Sequence, residues 1–145
     1  MILKLYNYGT LRCPSRAHID DAGCDVYIPD NYDIILEPHS YTSIDLKFGI
    51  DIPKGYYGYL CGRSSGAMKG LIVHQAPIDT GYTGPIHCII FNNSNETVIL
   101  DCNKAVAQLV IQPVTYPILT EYYDEFITRK NNDWNGSTDK GEKIQ

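Results

Sequence analysis

Residues 44–52, with the sequence IDLKFGIDI, alternate apolar side chains with polar or small ones over nine positions. A period of two places one set of side chains against a core and the other toward solvent, so this run predicts a half-buried β-strand. Other short apolar runs are separated by segments rich in Pro, Asn, Asp and Ser; they cover residues 2–6, 34–36, 86–91, 98–100 and 105–114. Short strands at this spacing predict an all-β barrel or sandwich. Helical potential is confined to residues 65–71, which are enough for one or two turns.

The chain has 145 residues and a formal net charge of −5 at pH 7, and its length fits one domain. A negative net charge gives no long-range attraction to nucleic acid or anionic lipid, so we expect neither partner, and any phosphate site must be local. No apolar run approaches the ~20 residues that span a bilayer, and the first residues, MILKLYNYGTLR, do not resemble a secretory signal. The five cysteines form no C-x-x-C pair, and their odd number favours reduced thiols in a cytosol-like compartment.

Residues 128–145, TRKNNDWNGSTDKGEKIQ, are polar and nearly devoid of aliphatic side chains. Such a segment buries too little apolar surface to fold alone. We therefore predict a β-barrel domain over residues 1–127, followed by a flexible C-terminal arm over residues 128–145. Trp134 is the exception in this arm, because a lone Trp has no apolar neighbours there. It either docks on the domain or closes over a ligand.

Four short stretches carry groups suited to chemistry, and each also has a plain structural interpretation. Asp25 lies in a run that could simply turn into a strand. Arg63 lies in CGRSSG, whose guanidinium, hydroxyls and backbone amides suit an anion, although a surface loop explains the run at least as well. Asp79 lies in IDTGYTG, where an acid is usually an exposed turn residue. Gln108 lies in VAQL, where a polar residue in a strand most often faces solvent.

Taken in order, these stretches resemble the five motifs of the homotrimeric dUTP pyrophosphatase (dUTPase) family. The matching runs are DAGCDVYIP, GRSSG, IDTGYTGPI with IIFNN, VAQLV, and a final R…W…GST, and they extend over essentially the whole chain. The resemblance implies a jelly-roll-like β-barrel (the β-clip dUTPase fold) that assembles as a homotrimer with three active sites at subunit interfaces. Each site would take the first, second and fourth motifs from one chain, the third from another, and the C-terminal motif from the last.

The resemblance also implies an activity. The chain would hydrolyse dUTP to dUMP and pyrophosphate with Mg²⁺, which limits uracil incorporation into DNA and supplies dUMP for thymidylate synthesis. The location it implies is cytoplasmic, or the host cytoplasm or nucleus if the protein is viral.

The third motif carries the residues that would hold the nucleoside. By similarity, Asp79 orients and activates the water that attacks the α-phosphorus, a task that suits a carboxylate because it can accept a proton. Tyr82 packs its ring against the deoxyribose and crowds out a 2′-hydroxyl. The backbone of the same hairpin reads the uracil edge, with Ala76 and His87 at the relevant positions.

The first, second and fourth motifs carry the residues that would hold the phosphates. By similarity, Arg63, Ser64 and Ser65 bind them, and Gln108 assists. Asp25 reaches Mg²⁺ only through water, while the substrate phosphates hold the ion, in keeping with the preference of Mg²⁺ for retained waters and phosphate oxygens.

The fifth motif would complete the site from the arm. Arg129 would pair with the γ-phosphate, Trp134 would stack on uracil where many relatives have Phe, and Ser137 and Thr138 would bond the terminal phosphate. The glycines usual around the aromatic residue are absent here, and WNGST is one residue longer than the usual FGST. The register of the two hydroxyl residues is therefore open.

Other departures from the family pattern fall next to site residues. Gly62 stands where the second motif usually begins with Pro, and Gly81 stands where an acidic residue often precedes the Tyr. Ala76 replaces a usual Gly, which adds a methyl group near the uracil edge. Ala105 replaces a usual basic residue, with Lys104 one place earlier.

Three alternative functions compete with this interpretation. A dCTP deaminase shares the fold and often has Gly before the aromatic residue, but it needs a proton-transferring Glu where this chain has Ile89. A trimeric regulator would keep the fold without catalysis, but such a protein need not retain the motif residues that this chain has. A catalytic chain that also binds a regulatory protein partner stays open. A zinc hydrolase is the weakest alternative, because the histidines and cysteines show no ligand spacing.

Overall fold

The apolar runs fold into short strands with a single turn of helix between them. The computed structural model describes residues 1–123, and all of its regular elements lie in one compact unit, Met1–Thr115. The elements are β1 (Lys4–Asn7), β2 (Gly23–Val26), β3 (Ile34–Leu36), β4 (Tyr41–Asp45), β5 (Phe48–Asp51), β6 (Tyr56–Cys61), α1 (Ser64–Ala67), β7 (Leu71–Val73), β8 (His87–Asn92), β9 (Val98–Leu100) and β10 (Ala107–Pro113). The predicted all-β fold class is confirmed, whereas closure of the strands into one jelly-roll barrel stays a prediction.

The strands pair into four small antiparallel sheets. Their orders are β1-β5, β2-β10-β6, β3-β9 and β4-β8-β7. Most neighbours in these sheets are distant in the sequence, so the fold depends on long-range pairing rather than on successive hairpins. The motif residues lie on the sheet β2-β10-β6, in the segment that follows β6, and along the connection from β7 into β8.

One apolar core joins the sheets. Its largest fully buried side chains are Phe48, Ile28, Leu46, Ile52, Ile90 and Val26. Asn92 is the polar exception, at 1% exposure, and its amide donates to the carbonyls of Leu36, Glu37 and Glu96. These hydrogen bonds explain how a polar side chain is buried at little cost.

The alternating run that predicted one strand forms two. Burial alternates through 44–52 as predicted except at Gly49, which is also buried, and the chain breaks after β4 because Lys47 adopts a left-handed conformation with φ of 55°. Two interactions hold this break: the Lys47 amide donates to Asp45 Oδ1 at 2.9 Å, and its Nζ lies 3.0 Å from Asp30 Oδ1. The break lets the first half pair with β8 and the second half with β1.

The predicted short helix is confirmed over fewer residues than the sequence allowed. It ends at Ala67, and Gly70, with φ of +83°, turns the chain into β7. Strands β7 and β8 then pair across a long connection, residues 74–86, which is the hairpin predicted around Asp79.

A second unit begins at Tyr116, and its residues 116–123 form no helix or strand. The division after residue 127 stays a prediction. The predicted site residues Arg129, Trp134, Ser137 and Thr138 lie outside the described residues. No helix within residues 1–123 is long and apolar enough to cross a membrane.

Candidate active site

The connection between β7 and β8 walls a cavity of about 320 Å³. Four residues predicted to hold the nucleoside line it together: Ala76, Asp79, Tyr82 and His87. The rest of the wall is largely apolar and comes from β6, β8 and the connection itself; its members are Leu60, His74, Pro77, Ile78, Pro85, Ile86 and Ile89. A mostly apolar cavity of this size with a few polar groups is typical of a small-ligand site.

A tight turn sets the positions of Asp79 and Tyr82. The Tyr82 amide donates to the Asp79 carbonyl at 3.2 Å, and Gly81, the third residue of the turn, has φ of +88°. This is the conformation that a type II turn requires at its third position, where glycine is favoured. The positive φ at this position therefore explains locally why glycine is suited to position 81, where relatives often have an acidic residue.

Hydrogen bonds to β6 anchor the start of the turn. Ile78 and Gly58 exchange two backbone hydrogen bonds, of 3.0 and 2.6 Å. The Thr80 hydroxyl donates to the Tyr56 carbonyl at 3.1 Å. Asp79 lies between these anchors with an exposed carboxylate that makes no hydrogen bond or ion pair within residues 1–123.

The Tyr82 ring is folded back over its own loop. Its hydroxyl donates to the Pro85 carbonyl at 2.7 Å, and a Cβ atom on Gly84 would lie 2.9 Å from the same hydroxyl oxygen. Glycine at position 84 therefore leaves room for the ring. Tyr82 remains 48% exposed and lines the cavity.

The residues predicted to hold phosphate meet on the sheet β2-β10-β6. Gln108 of β10 is paired with Asp25 on one side and with Cys61 on the other. Its side-chain amide donates to the Gly62 carbonyl at 3.1 Å. Arg63 follows β6 and places its Nε 3.6 Å from Asp25 Oδ1. Three motifs that are far apart in the sequence are thus brought side by side.

Backbone contacts fix the ends of this group. Asp25 exchanges two backbone hydrogen bonds with Ser15, and Arg63 Nη1 lies 3.5 Å from the Ala105 carbonyl oxygen. Ser64 and Ser65 begin α1 directly after Arg63, and both are exposed.

A second cavity, of about 280 Å³, adjoins the phosphate group and is lined by Arg63, Ser65, Lys69 and Lys104 among others. Lys104 therefore supplies a basic group close to the position where Ala105 lacks one. Lys69 was not predicted from the sequence, because a single Lys after a short helix carries no local signal.

The Mg²⁺ implied by the motifs fits the one carboxylate of this group. Asp25 is half-buried and keeps its side chain on the same surface as Arg63. A lone carboxylate suits an ion that retains several waters and takes its other ligands from phosphates.

A different acidic group, Asp33, Asp101 and Cys102, has its ligand atoms within 4.8 Å of one another. Hydrogen bonds account for it: Asp33 accepts the Cys102 amide at 2.9 Å, which lowers the pKa of its carboxyl, and Asp101 accepts the Asn103 amide. These contacts account for the group, because the first joins two segments 69 positions apart and the second lies within the turn after β9.

The two groups of predicted site residues lie apart within one chain. None of Asp25, Arg63, Ser64, Ser65 and Gln108 is among the described residues that line the cavity at Asp79. Ile78, next to Asp79, pairs with Gly58 of β6. Arg63 comes five residues after Gly58 along an extended segment, so the two positions are about 17 Å apart at the usual rise per residue.

The fold is all-β, and it combines a mostly apolar cavity with a separate surface that carries the Arg63 guanidinium and the Gln108 amide. This combination is typical of the class of proteins that act on phosphorylated small molecules. The family model for dUTPases matches residues 10–138. The chain therefore belongs to the dUTPase family, as the five motifs predicted, and the prediction of a dUTP diphosphatase is confirmed by this membership.

Individual relatives agree with this assignment. The deoxyuridine 5′-triphosphate nucleotidohydrolase of vaccinia virus (strain Copenhagen) is 31% identical over 127 residues, which are 88% of this chain and 85% of that protein. The dUTPase of phage phi11 of S. aureus has a TM-score of 0.76 and 26% identity, and the match covers 86% of this chain and 97% of that one. The dUTPase of Staphylococcus bacteriophage 80alpha has a TM-score of 0.76 at 25% identity, covering 85% and 97%.

Proposed function

We propose that this chain converts dUTP to dUMP and pyrophosphate at sites formed between copies of the chain. The observation that carries the proposal is the shared cavity of Asp79, Tyr82, Ala76 and His87, set apart from the row formed by Asp25, Gln108 and Arg63. A nucleoside and a triphosphate need these two kinds of surface, one a mostly apolar cavity, the other rich in hydrogen-bond donors.

Asp79 would orient the attacking water and accept its proton. Its carboxylate is exposed at the rim of the cavity, and no donor within residues 1–123 occupies it. A carboxylate in this state can bind a water molecule and act as a general base. The hydrogen bonds of Ile78 and Thr80 to β6 hold it in place from both sides.

The cavity itself would select the nucleoside. The Tyr82 ring, fixed by its hydrogen bond to Pro85, would lie against the deoxyribose and leave no room for a 2′-hydroxyl. Backbone groups near Ala76 and His87 would read the uracil edge. Excluding the thymine methyl requires a close fit, because one methyl group contributes only ~1–3 kcal/mol of discrimination.

The phosphates would bind on the sheet β2-β10-β6. Arg63 offers a guanidinium that can donate to two oxygens at once, with Ser64, Ser65 and Gln108 as further donors. Mg²⁺, when bound, would polarise the α-phosphorus and neutralise the leaving pyrophosphate. Asp25 would hold its water ligands, and its contact with Arg63 would keep the carboxylate facing the phosphates.

The separation of the two groups favours a site completed by another copy. One copy would present the cavity, and a second would present Arg63, Gln108 and Asp25. We propose a homotrimer, in which residues 128–145 of a further copy complete each site through Arg129, Trp134, Ser137 and Thr138. Sedimentation of the purified chain checks the assembly, and a chain ending at Thr128 that retains full turnover would exclude this role for the arm.

Hydrolysis is favoured over deamination by Ile89. This residue of β8 lines the cavity at the position where a deaminase needs a proton-transferring Glu. An aliphatic side chain cannot carry a proton. Incubation with dCTP should therefore release no ammonia.

The test is pyrophosphate release from dUTP with Mg²⁺ by the wild type and Asp79→Asn. The substitution preserves shape and removes the base, so kcat should fall by about 10²–10⁴-fold with little change in dUTP affinity. Asp20→Asn is the matched control, because Asp20 is exposed and lies outside both cavities. Full turnover by Asp79→Asn would overturn the mechanism.

We place this activity in the cytoplasm, or in the host cytoplasm or nucleus if the source is viral.

A further inference from the structure

An N-terminal tyrosine is hydrogen-bonded to the loop that carries Tyr82. The Tyr8 hydroxyl donates to the Thr83 carbonyl at 2.6 Å, across 75 positions in the sequence. Thr83 directly follows Tyr82, so this hydrogen bond acts on the peptide group next to the residue that lines the cavity. Neither Tyr8 nor its segment belongs to the five motifs.

Tyr8 is itself held in place by the end of β1. Strand β1 pairs with β5 up to Asn7, and the Tyr8 amide continues the pairing with a 2.8 Å hydrogen bond to the Lys47 carbonyl. Asn7 Oδ1 accepts the Gly9 amide at 2.8 Å, which fixes the turn after Tyr8. The Tyr6 ring stacks on the Tyr8 ring with centroids 6.4 Å apart.

Strand β5 packs directly against the backbone of the same loop. A Cβ atom on Gly49 would overlap the Thr83 carbonyl oxygen and lie 2.7 Å from the Gly84 oxygen. The Ile86 amide donates to the Phe48 carbonyl at 2.9 Å, which fixes the end of the loop. The Thr83 carbonyl is therefore held between β5 and the Tyr8 hydroxyl, with room for little movement.

We propose that Tyr8 is a positioning residue that determines sugar specificity. Its hydrogen bond fixes the Thr83 peptide and thereby holds the Tyr82 ring where it excludes a ribose 2′-hydroxyl. This inference rests on the proposed function of the cavity. It gives β1, which has no motif residue, a part in substrate selection.

The test compares Tyr8→Phe with Tyr6→Phe. Tyr8→Phe keeps the ring and its stacking and removes only the hydrogen bond. Tyr6→Phe removes a hydroxyl from the stacked neighbour, which makes no hydrogen bond within residues 1–123. Initial rates with dUTP and UTP give kcat/KM for each. Loss of one hydrogen bond should raise the relative use of UTP about three- to tenfold in Tyr8→Phe and leave it unchanged in Tyr6→Phe.

Hydrogen exchange of the backbone amides supplies a readout that is independent of turnover. Amides in residues 82–86 should exchange faster in Tyr8→Phe than in the wild type and Tyr6→Phe. Unchanged exchange, or faster exchange with unchanged discrimination between dUTP and UTP, would overturn the inference. A wild-type chain that hydrolyses no dUTP would instead overturn the proposed function, so the two failures are distinct.

Discussion

Replacing Gly49 by Ala tests whether β5 and the loop 82–86 are in direct backbone contact. The added methyl group would overlap the Thr83 carbonyl oxygen and approach the Gly84 oxygen to 2.7 Å. Both obstacles are backbone atoms, and the loop is held by hydrogen bonds from Tyr8 and Ile86. No rotamer change can relieve the overlap, so the strand and the loop must separate.

Overpacking of this kind costs about 1–3 kcal/mol, and the rigid neighbours place Gly49→Ala near the upper value. For a chain of this size, a loss of about 3 kcal/mol lowers Tm by about 10 °C. The assay is urea unfolding together with a thermal scan. Both are run at one fixed chain concentration, because the proposed assembly of copies would make the measured stability depend on concentration.

Gly66→Ala is the matched control. Its Cβ would lie 3.6 Å from Leu71 Cδ1, an ordinary contact, and the residue is helical. That variant should be neutral or more stable by up to about 1 kcal/mol. A Gly49→Ala protein with wild-type stability would refute the close approach of β5 to the loop.

Three further substitutions have defined outcomes in urea unfolding. Gly81→Ala meets no neighbour within 4 Å but keeps φ at +88°, so it should cost about 1 kcal/mol through the backbone alone. Asn92→Ala should cost about 3 kcal/mol or more, because three carbonyls lose their donor in the core. Burial raises the pKa of the Cys88 thiol from 9.0 to about 12, so the stability that its neutral form provides is complete below pH 9 and is lost as the pH rises toward 12. Relative to Cys88→Ala, the wild type should lose about 1.4 kcal/mol between pH 8 and 10.

The sequence predicted the strands well because alternation is a local property. Burial through 44–52 follows the alternation in the sequence at every position except Gly49, which is buried. The break at Lys47 escaped prediction, because a non-glycine residue with positive φ is uncommon and is held here by Asp30, 17 positions away. Contacts between segments that are distant in the sequence decide where this strand ends.

The site shows the same division. That Asp79 and Tyr82 lie on one turn could be predicted from the local sequence, because a turn motif keeps them three residues apart, whereas their roles in the site come from the family resemblance and stay predictions. That Asp25, Gln108 and Arg63 lie side by side could be predicted only from the resemblance to a family, because they are far apart in the sequence. Tyr8 had no signal at all, because its contact with Thr83 depends on the pairing of β1 with β5.

The distance between Asp79 and Arg63 along β6 also bears on inheritance. Damage to one of these residues leaves the other intact in the same polypeptide, so in the proposed assembly the variants Asp79→Asn and Arg63→Ala would carry complementary defects. In randomly mixed assemblies of equal amounts, about a quarter of the sites would pair an undamaged cavity with an undamaged phosphate surface. Two alleles that are null alone would then restore dUTP hydrolysis together, and a single defective allele would lower activity in proportion to its expression.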